Sequence, residues 1–127
     1  MHYEISMAGN DEETSIGDWG IALVGDWGAA MAGYGGTAMA GYKGTATAGD
    51  GGTATVGSFG TAIVGDKGMA LAGYGGTVRA GNGGIIVISF AKEGAFYRKV
   101  GQIGEDGLKP GIAYRVDPET CEFVEAR

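Results

Sequence analysis

The feature that most constrains this chain is a repeat of eight residues, each copy opened by Gly-x-x-Gly. Aligned on glycine, the stretch from Gly17 to Ile88 divides into nine successive octads: GDWGIALV, GDWGAAMA, GYGGTAMA, GYKGTATA, GDGGTATV, GSFGTAIV, GDKGMALA, GYGGTVRA and GNGGIIVI. Glycine fills the first and fourth positions of all nine, which accounts for 18 of the 28 glycines in the 127-residue chain. Met1 to Ala8 and Gly9 to Ile16 keep the same phase with a degraded glycine pattern, so the repeat is expected to start near the first residue. A helix with two glycines in every eight residues would lose about 1 kcal/mol at each relative to alanine, and a helical reading fails on that ground. The last four positions alternate instead. Apolar residues, mostly small, hold the sixth and eighth places, and varied residues hold the fifth and seventh, which is the period of a strand. Each octad thus reads as one short strand and one tight turn, and its glycine half is expected to supply the positive φ angles that reverse the chain.

One octad is too short to close a coil. Two octads give sixteen residues, two strands and two turns, and three octads per coil is the alternative. The row of inward sixth positions favours two: Ala22, Ala30, Ala38, Ala46, Ala54, Ala62 and Ala70, then Val78 and Ile86. Such small side chains fill only a thin gap between two sheets, and a triangular prism would leave a costly void at its centre. The expected fold is therefore all-β, a narrow two-sheet β-solenoid, or β-roll, about five coils tall at roughly 4.8 Å per coil. Val78, Ile86 and Ile88 suggest a core that widens toward the C-terminal end.

After Ile88 the octad stops, and Phe90, Phe96, Tyr97, Tyr114 and Phe123 bring bulk. A solenoid leaves strand edges and core open at its ends. Residues 1–88 are thus assigned to the solenoid, regular over 17–88 with a degenerate start at 1–16, and residues 89–127 to a C-terminal β cap. Alternation in Phe96 to Val100, Ile112 to Val116 and Cys121 to Val124, with Asp117-Pro118 opening a turn, predicts a small antiparallel meander.

Charge and composition narrow the function classes. With 15 acidic against 9 basic residues and a formal charge of -6, the surface is expected to repel nucleic acids and anionic membranes. The first residues carry no signal-peptide pattern and no stretch reaches the roughly 20 apolar residues of a membrane span, so a cytoplasmic protein is expected. The single cysteine, Cys121, rules out an intramolecular disulfide. It is read as a buried structural thiol sharing a face with Phe123, because the only histidine, His2, stands at the other end of the chain. Gly33-Tyr34-Gly35 and Gly73-Tyr74-Gly75 lack the helix behind them that a phosphate loop needs. Asp18, Asp26, Asp50 and Asp66 lack the doubled ligand pattern of calcium-binding solenoids and are read as turn residues that hydrogen-bond their own backbone. No catalytic residue, metal ligand or cofactor site is assigned, and a non-enzyme is expected.

The outward positions carry the functional expectation. A two-octad coil sorts them by parity, and one face holds Ile21, Leu23, Thr37, Met39, Thr53, Thr55, Met69, Leu71, Ile85 and Val87. The other holds Ala29, Met31, Thr45, Thr47, Thr61, Ile63, Thr77 and Arg79. The first is much the more apolar, so Ile21, Leu23, Met39, Met69, Leu71, Ile85 and Val87 are assigned to a homodimer or homotrimer interface, with cover by the chain's own termini as the alternative. One turn edge stacks Trp27, Tyr42, Phe59 and Tyr74, and the other presents Trp19 and Tyr34 with Asp18, Asp50 and Asp66. Stacked rings stiffen a solenoid, and together with Thr45, Thr61 and Thr77 they also form a candidate binding ladder.

The Gly-Thr-Ala-Thr-Ala-Gly phrasing from Gly44 to Gly49 resembles the uncharacterised octapeptide-repeat proteins of bacteria and phages. The likeness covers roughly Gly17 to Ile88, and Leu108-Lys109-Pro110-Gly111-Ile112-Ala113-Tyr114 resembles the tail of the same proteins. The octads are more distantly similar to the β-roll heads of trimeric autotransporter adhesins, although the coiled-coil stalk of that family is missing. These resemblances imply a fold and no activity. They extend the expected function, a self-associating interaction protein that binds a partner macromolecule or small ligand, to a phage or mobile-element antagonist of a host defence factor. Ice binding through the threonine ladder and a structural or adhesin-like module are the alternatives.

Overall fold

The computed structural model describes residues 5–105, 107–117, 119, 120 and 122–125. The octads alternate between two sheets. Strands β1 (Ile5–Met7), β3 (Ile21–Leu23), β5 (Thr37–Ala40), β7 (Thr53–Val56), β9 (Met69–Ala72) and β11 (Ile85–Lys92) pair in parallel to form the first sheet. Strands β2 (Glu13–Ser15), β4 (Ala29–Ala32), β6 (Thr45–Ala48), β8 (Thr61–Ile63) and β10 (Thr77–Arg79) do the same in the second. Pairing advances by one two-octad coil at each step: Ala38 lies beside Ala22 and Ala54, and Ala46 beside Ala30 and Ala62. The fold is an all-β, two-sheet β-solenoid of about five turns, with 16 residues to the turn.

Sixth and eighth positions point inward as the alternation predicts. Ala22, Ala30, Ala38, Ala46, Ala54, Ala62 and Ala70 are completely buried, with Ala48, Val56, Val64, Ala72 and Ala80 beside them. A buried methyl group contributes only about 0.8 kcal/mol, so the regular coils depend heavily on their hydrogen-bond ladders and turn contacts. Apolar bulk gathers at the C-terminal end, where Val78, Ile86 and Ile88 are followed by Phe90, Ile103, Leu108, Tyr114 and Val116 in the same cluster. At the other end Ser6 and Thr14 take the sixth position, and their hydroxyls hydrogen-bond each other between the sheets.

The turns correct one expectation. Positive φ falls on the third octad position, not on the repeated glycines at the first and fourth. Trp19 (φ 62°), Trp27 (64°), Lys43 (54°), Phe59 (60°) and Lys67 (58°) adopt it, as do Gly35, Gly51, Gly75 and Gly83. With the fourth-position N–H donating to the first-position carbonyl, as from Gly36 to Gly33, this is the type II arrangement. The repeated glycines are needed for space. A Cβ on Gly52 would stand 2.8 Å from the Ala48 methyl and 2.8 Å from the Gly36 carbonyl oxygen one coil earlier. A Cβ on Gly65 would collide with Oδ1 of Asp50. Coils stacked at strand spacing leave no room for a side chain at these two glycines.

The C-terminal strands correct another. They do not form one meander. Strand β12 (Ala95–Gln102) pairs antiparallel with β11 and closes the first sheet, whereas β13 (Ala113–Asp117) and β14 (Glu122–Glu125) continue the second from β10. Strand β11 runs through Ile88, the expected domain boundary, to a two-residue reversal at Glu93 and Gly94, both at positive φ as a type I′ hairpin requires. The hairpin extends beyond the three or four residues of a solenoid strand. Its distal half therefore overhangs, which is why Phe96 is 80% exposed and contributes no bulk to the core. Asp117 does open a turn, its Oδ1 accepting from the Glu119 N–H at 2.9 Å. Cys121 and His2 lie outside the described residues.

Candidate interaction surfaces

The seven residues assigned to an oligomer interface come together on the outer face of the first sheet. Strand register aligns the seventh octad positions into a single row, Met7, Leu23, Met39, Thr55, Leu71 and Val87, with Val100 of β12 beside Val87. A parallel row of fifth positions runs Ile5, Ile21, Thr37, Thr53, Met69 and Ile85. Ile5, Met7, Met39, Met69 and Val100 are exposed, and Ile21, Leu23, Leu71, Ile85 and Val87 are half-buried by their own neighbours. Ile5, Met7 and Val100 extend the strip beyond the residues first nominated. The first two were readable from the surviving octad phase of residues 1–8. Val100 was not, because its place depends on an antiparallel partner that the repeat does not encode.

The second sheet's outer face is mixed. Thr45, Thr61 and Thr77 follow one another on adjacent strands, continuing a row that begins with Glu13 and Ala29. The companion row reads Ser15, Met31, Thr47, Ile63 and Arg79.

The aromatic edge is a contacting ladder. Trp27, Tyr42, Phe59 and Tyr74 meet edge to face, with successive centroid distances of 6.1, 5.9 and 5.6 Å. The rings zigzag between the third and second turn positions. Where a ring occupies the third position, the next coil sets glycine or lysine over it. Gly75 lies against Phe59, and a Cβ there would come within 2.6 Å of that ring. The Lys43 ammonium sits 4.7 Å from the Trp27 centroid, within cation–π range. The opposite edge has one such pair, Trp19 and Tyr34 at 5.5 Å.

The turn aspartates differ from their expected role. Their carboxylates do not bond their own turns. Oδ1 of Asp18 accepts from the Tyr34 N–H, Asp26 from Tyr42, Asp50 from Asp66 and Asp66 from Asn82, each at 2.9 Å and each 16 residues on. Asn10 does the same for Asp26 at 2.8 Å. The reason is geometric: the next coil stacks so closely on the corner that its amide is the nearest donor. These groups tie coil to coil, and the bond needs only an oxygen acceptor, as Asn10 demonstrates.

No family model, curated protein or solved structure matches the chain.

Proposed function

We propose that this chain is a non-catalytic interaction protein that self-associates through the outer face of its first sheet and leaves its turn edges to engage a partner. The observation that supports the reading is the seventh-position row, which is apolar from Met7 to Val100 except at Thr55 and spans every strand of the sheet. A continuous apolar strip of this extent is more than a soluble monomer ordinarily presents to water. Burying such side chains fully contributes about 1.5–3 kcal/mol each, which competes with an association cost of about 4–15 kcal/mol. Identical strips meet across a two-fold axis, or pack each against a neighbour's edge around a three-fold axis. Light scattering on the wild type and on Leu71→Glu tests this. A dimeric or trimeric parent and a monomeric, still folded variant are expected, and a monomeric parent contradicts the reading.

The register of Thr45, Thr61 and Thr77 supports a second reading, in which a flat threonine face orders water at an ice surface. Met31, Ile63 and Arg79 interrupt the companion row. Thermal hysteresis at millimolar concentration, abolished by Thr61→Tyr, is what that reading requires, and a parent without hysteresis ends it.

A further inference from the structure

We propose that the C-terminal end of the aromatic edge is a binding site for a planar aromatic ring that carries a carbonyl or carboxylate oxygen. The site arises where a turn is missing. Turns 9–12, 25–28, 41–44, 57–60 and 73–76 follow one another along this edge, and the next would fall at residues 89–92. Those residues instead remain extended within β11. Ile88, Ser89 and Phe90 stand on one side of the resulting gap, Arg115 and Val116 of β13 on the other, and Tyr74 to Gly76 form its floor with the Phe59 ring. The pocket holds about 200 Å³. An apolar cavity of roughly 150 Å³ is already enough for a benzene-sized ring.

Two features define the occupant. The ladder of rings ends at Tyr74, which keeps an open side with 42% of its surface exposed. A further ring set edge to face against it continues the spacing of the rungs below. The second feature is a backbone donor. In the other turns of this edge the third-position N–H donates to the second-position carbonyl one coil on, from Asp11 to Asp26, Trp27 to Tyr42, Lys43 to Ser58 and Phe59 to Tyr74. The corresponding donor in the last turn is the Gly75 N–H, which has no acceptor among the described residues. A ligand bearing both a ring and an acceptor oxygen replaces what the missing turn would have supplied. An aromatic residue in a partner's chain and a free aromatic acid share that chemistry.

The site rests on the interaction reading only in naming a ligand class for the turn edge. It shares no residue with the apolar strip, so oligomerisation and ring binding can fail separately. The test is amide and aromatic NMR of the full chain, titrated with N-acetyltyrosinamide, benzoate or cyclohexanecarboxylate. At least one aromatic probe is expected to shift the Gly75 amide and the Tyr74 ring, while cyclohexanecarboxylate leaves them in place. The first probe acting alone assigns the site to a peptide partner, and benzoate acting alone assigns it to a free aromatic acid. Tyr74→Ala is expected to weaken binding roughly two- to tenfold, the worth of one edge-to-face contact. The variant should retain the parent's far-UV circular dichroism. The proposal is overturned if neither aromatic probe shifts these signals at tens of millimolar, if the aliphatic acid shifts them equally, or if folded Tyr74→Ala binds unchanged.

Discussion

The two sheets are alike on the inside and unlike on the outside. Ala38, Ala54 and Ala70 of the first sheet and Ala30, Ala46 and Ala62 of the second are all fully buried. Their outer faces carry an aliphatic strip on one side and threonines with scattered charge on the other. The contrast teaches which positions the fold constrains. A thin inter-sheet gap admits one size of side chain from either direction, whereas outward positions answer only to strand propensity. Because a coil is two octads, any difference between odd and even repeats accumulates on one face. Folding therefore does not demand that the two faces diverge.

The equivalence of the interiors can be broken most severely by overpacking. Ala46→Leu in the second sheet and Ala54→Leu in the first are each expected to destabilise the protein by about 1–3 kcal/mol or more, and by similar amounts. Denaturant unfolding reads both values. If either variant unfolds like the parent, the thin-core account is wrong. A smaller effect is expected at the corners. Asp66→Ala removes the acceptor of the Asn82 N–H and is expected to cost about 0.5–1.5 kcal/mol, with faster exchange of the Asn82 amide. Asp66→Asn, which keeps the oxygen, should restore slow exchange. Equal exchange in all three proteins would mean that the carboxylate does not tie the coils together.

Much of this was legible because a solenoid converts sequence phase directly into position. Once the octads were aligned, parity placed Met39 and Thr47 on opposite faces and set Tyr42 next to Trp27. The illegible parts depend on close approach between coils. Repetition alone does not distinguish a glycine kept for its φ from one kept for its missing Cβ, and Gly52 and Gly65 are of the second kind. Nor does it reveal that Asp50 reaches the amide of Asp66 in preference to its own turn. Beyond Ile88 there is no phase to read. The alternation in Phe96 to Val100 correctly marked a strand, but its pairing with β11, its overhang and the pocket left below Phe90 all follow from one turn that does not form.

The smallest expected effect sharpens the comparison of the two turn edges. Lys67 holds a positive φ on the acidic edge, where a left-handed conformation costs a residue with a Cβ roughly 1–2 kcal/mol. Lys67→Gly is expected to stabilise the protein by about 0.5–1 kcal/mol after glycine's greater unfolded-state entropy is deducted. Trp27→Gly on the aromatic edge also gives up the Tyr42 and Lys43 contacts, so its gain should cancel. Thermal unfolding of the pair decides it, and equal gains would mean that the ladder adds nothing to stability.

The claim that the first sheet's outer face is an interface is tested most directly on the unmutated protein through its methionine methyls. Met39 and Met69 lie on that face, with 41% and 38% of their surface exposed, and Met31 on the opposite face is 52% exposed. With carbon-13-labelled methionine and a soluble nitroxide, a shared interface predicts that relaxation enhancement at Met39 and Met69 falls as protein concentration rises, while Met31 stays fully accessible. Enhancements that follow the single-chain exposures at every concentration, with Met39 and Met69 as open to the nitroxide as Met31, would contradict it.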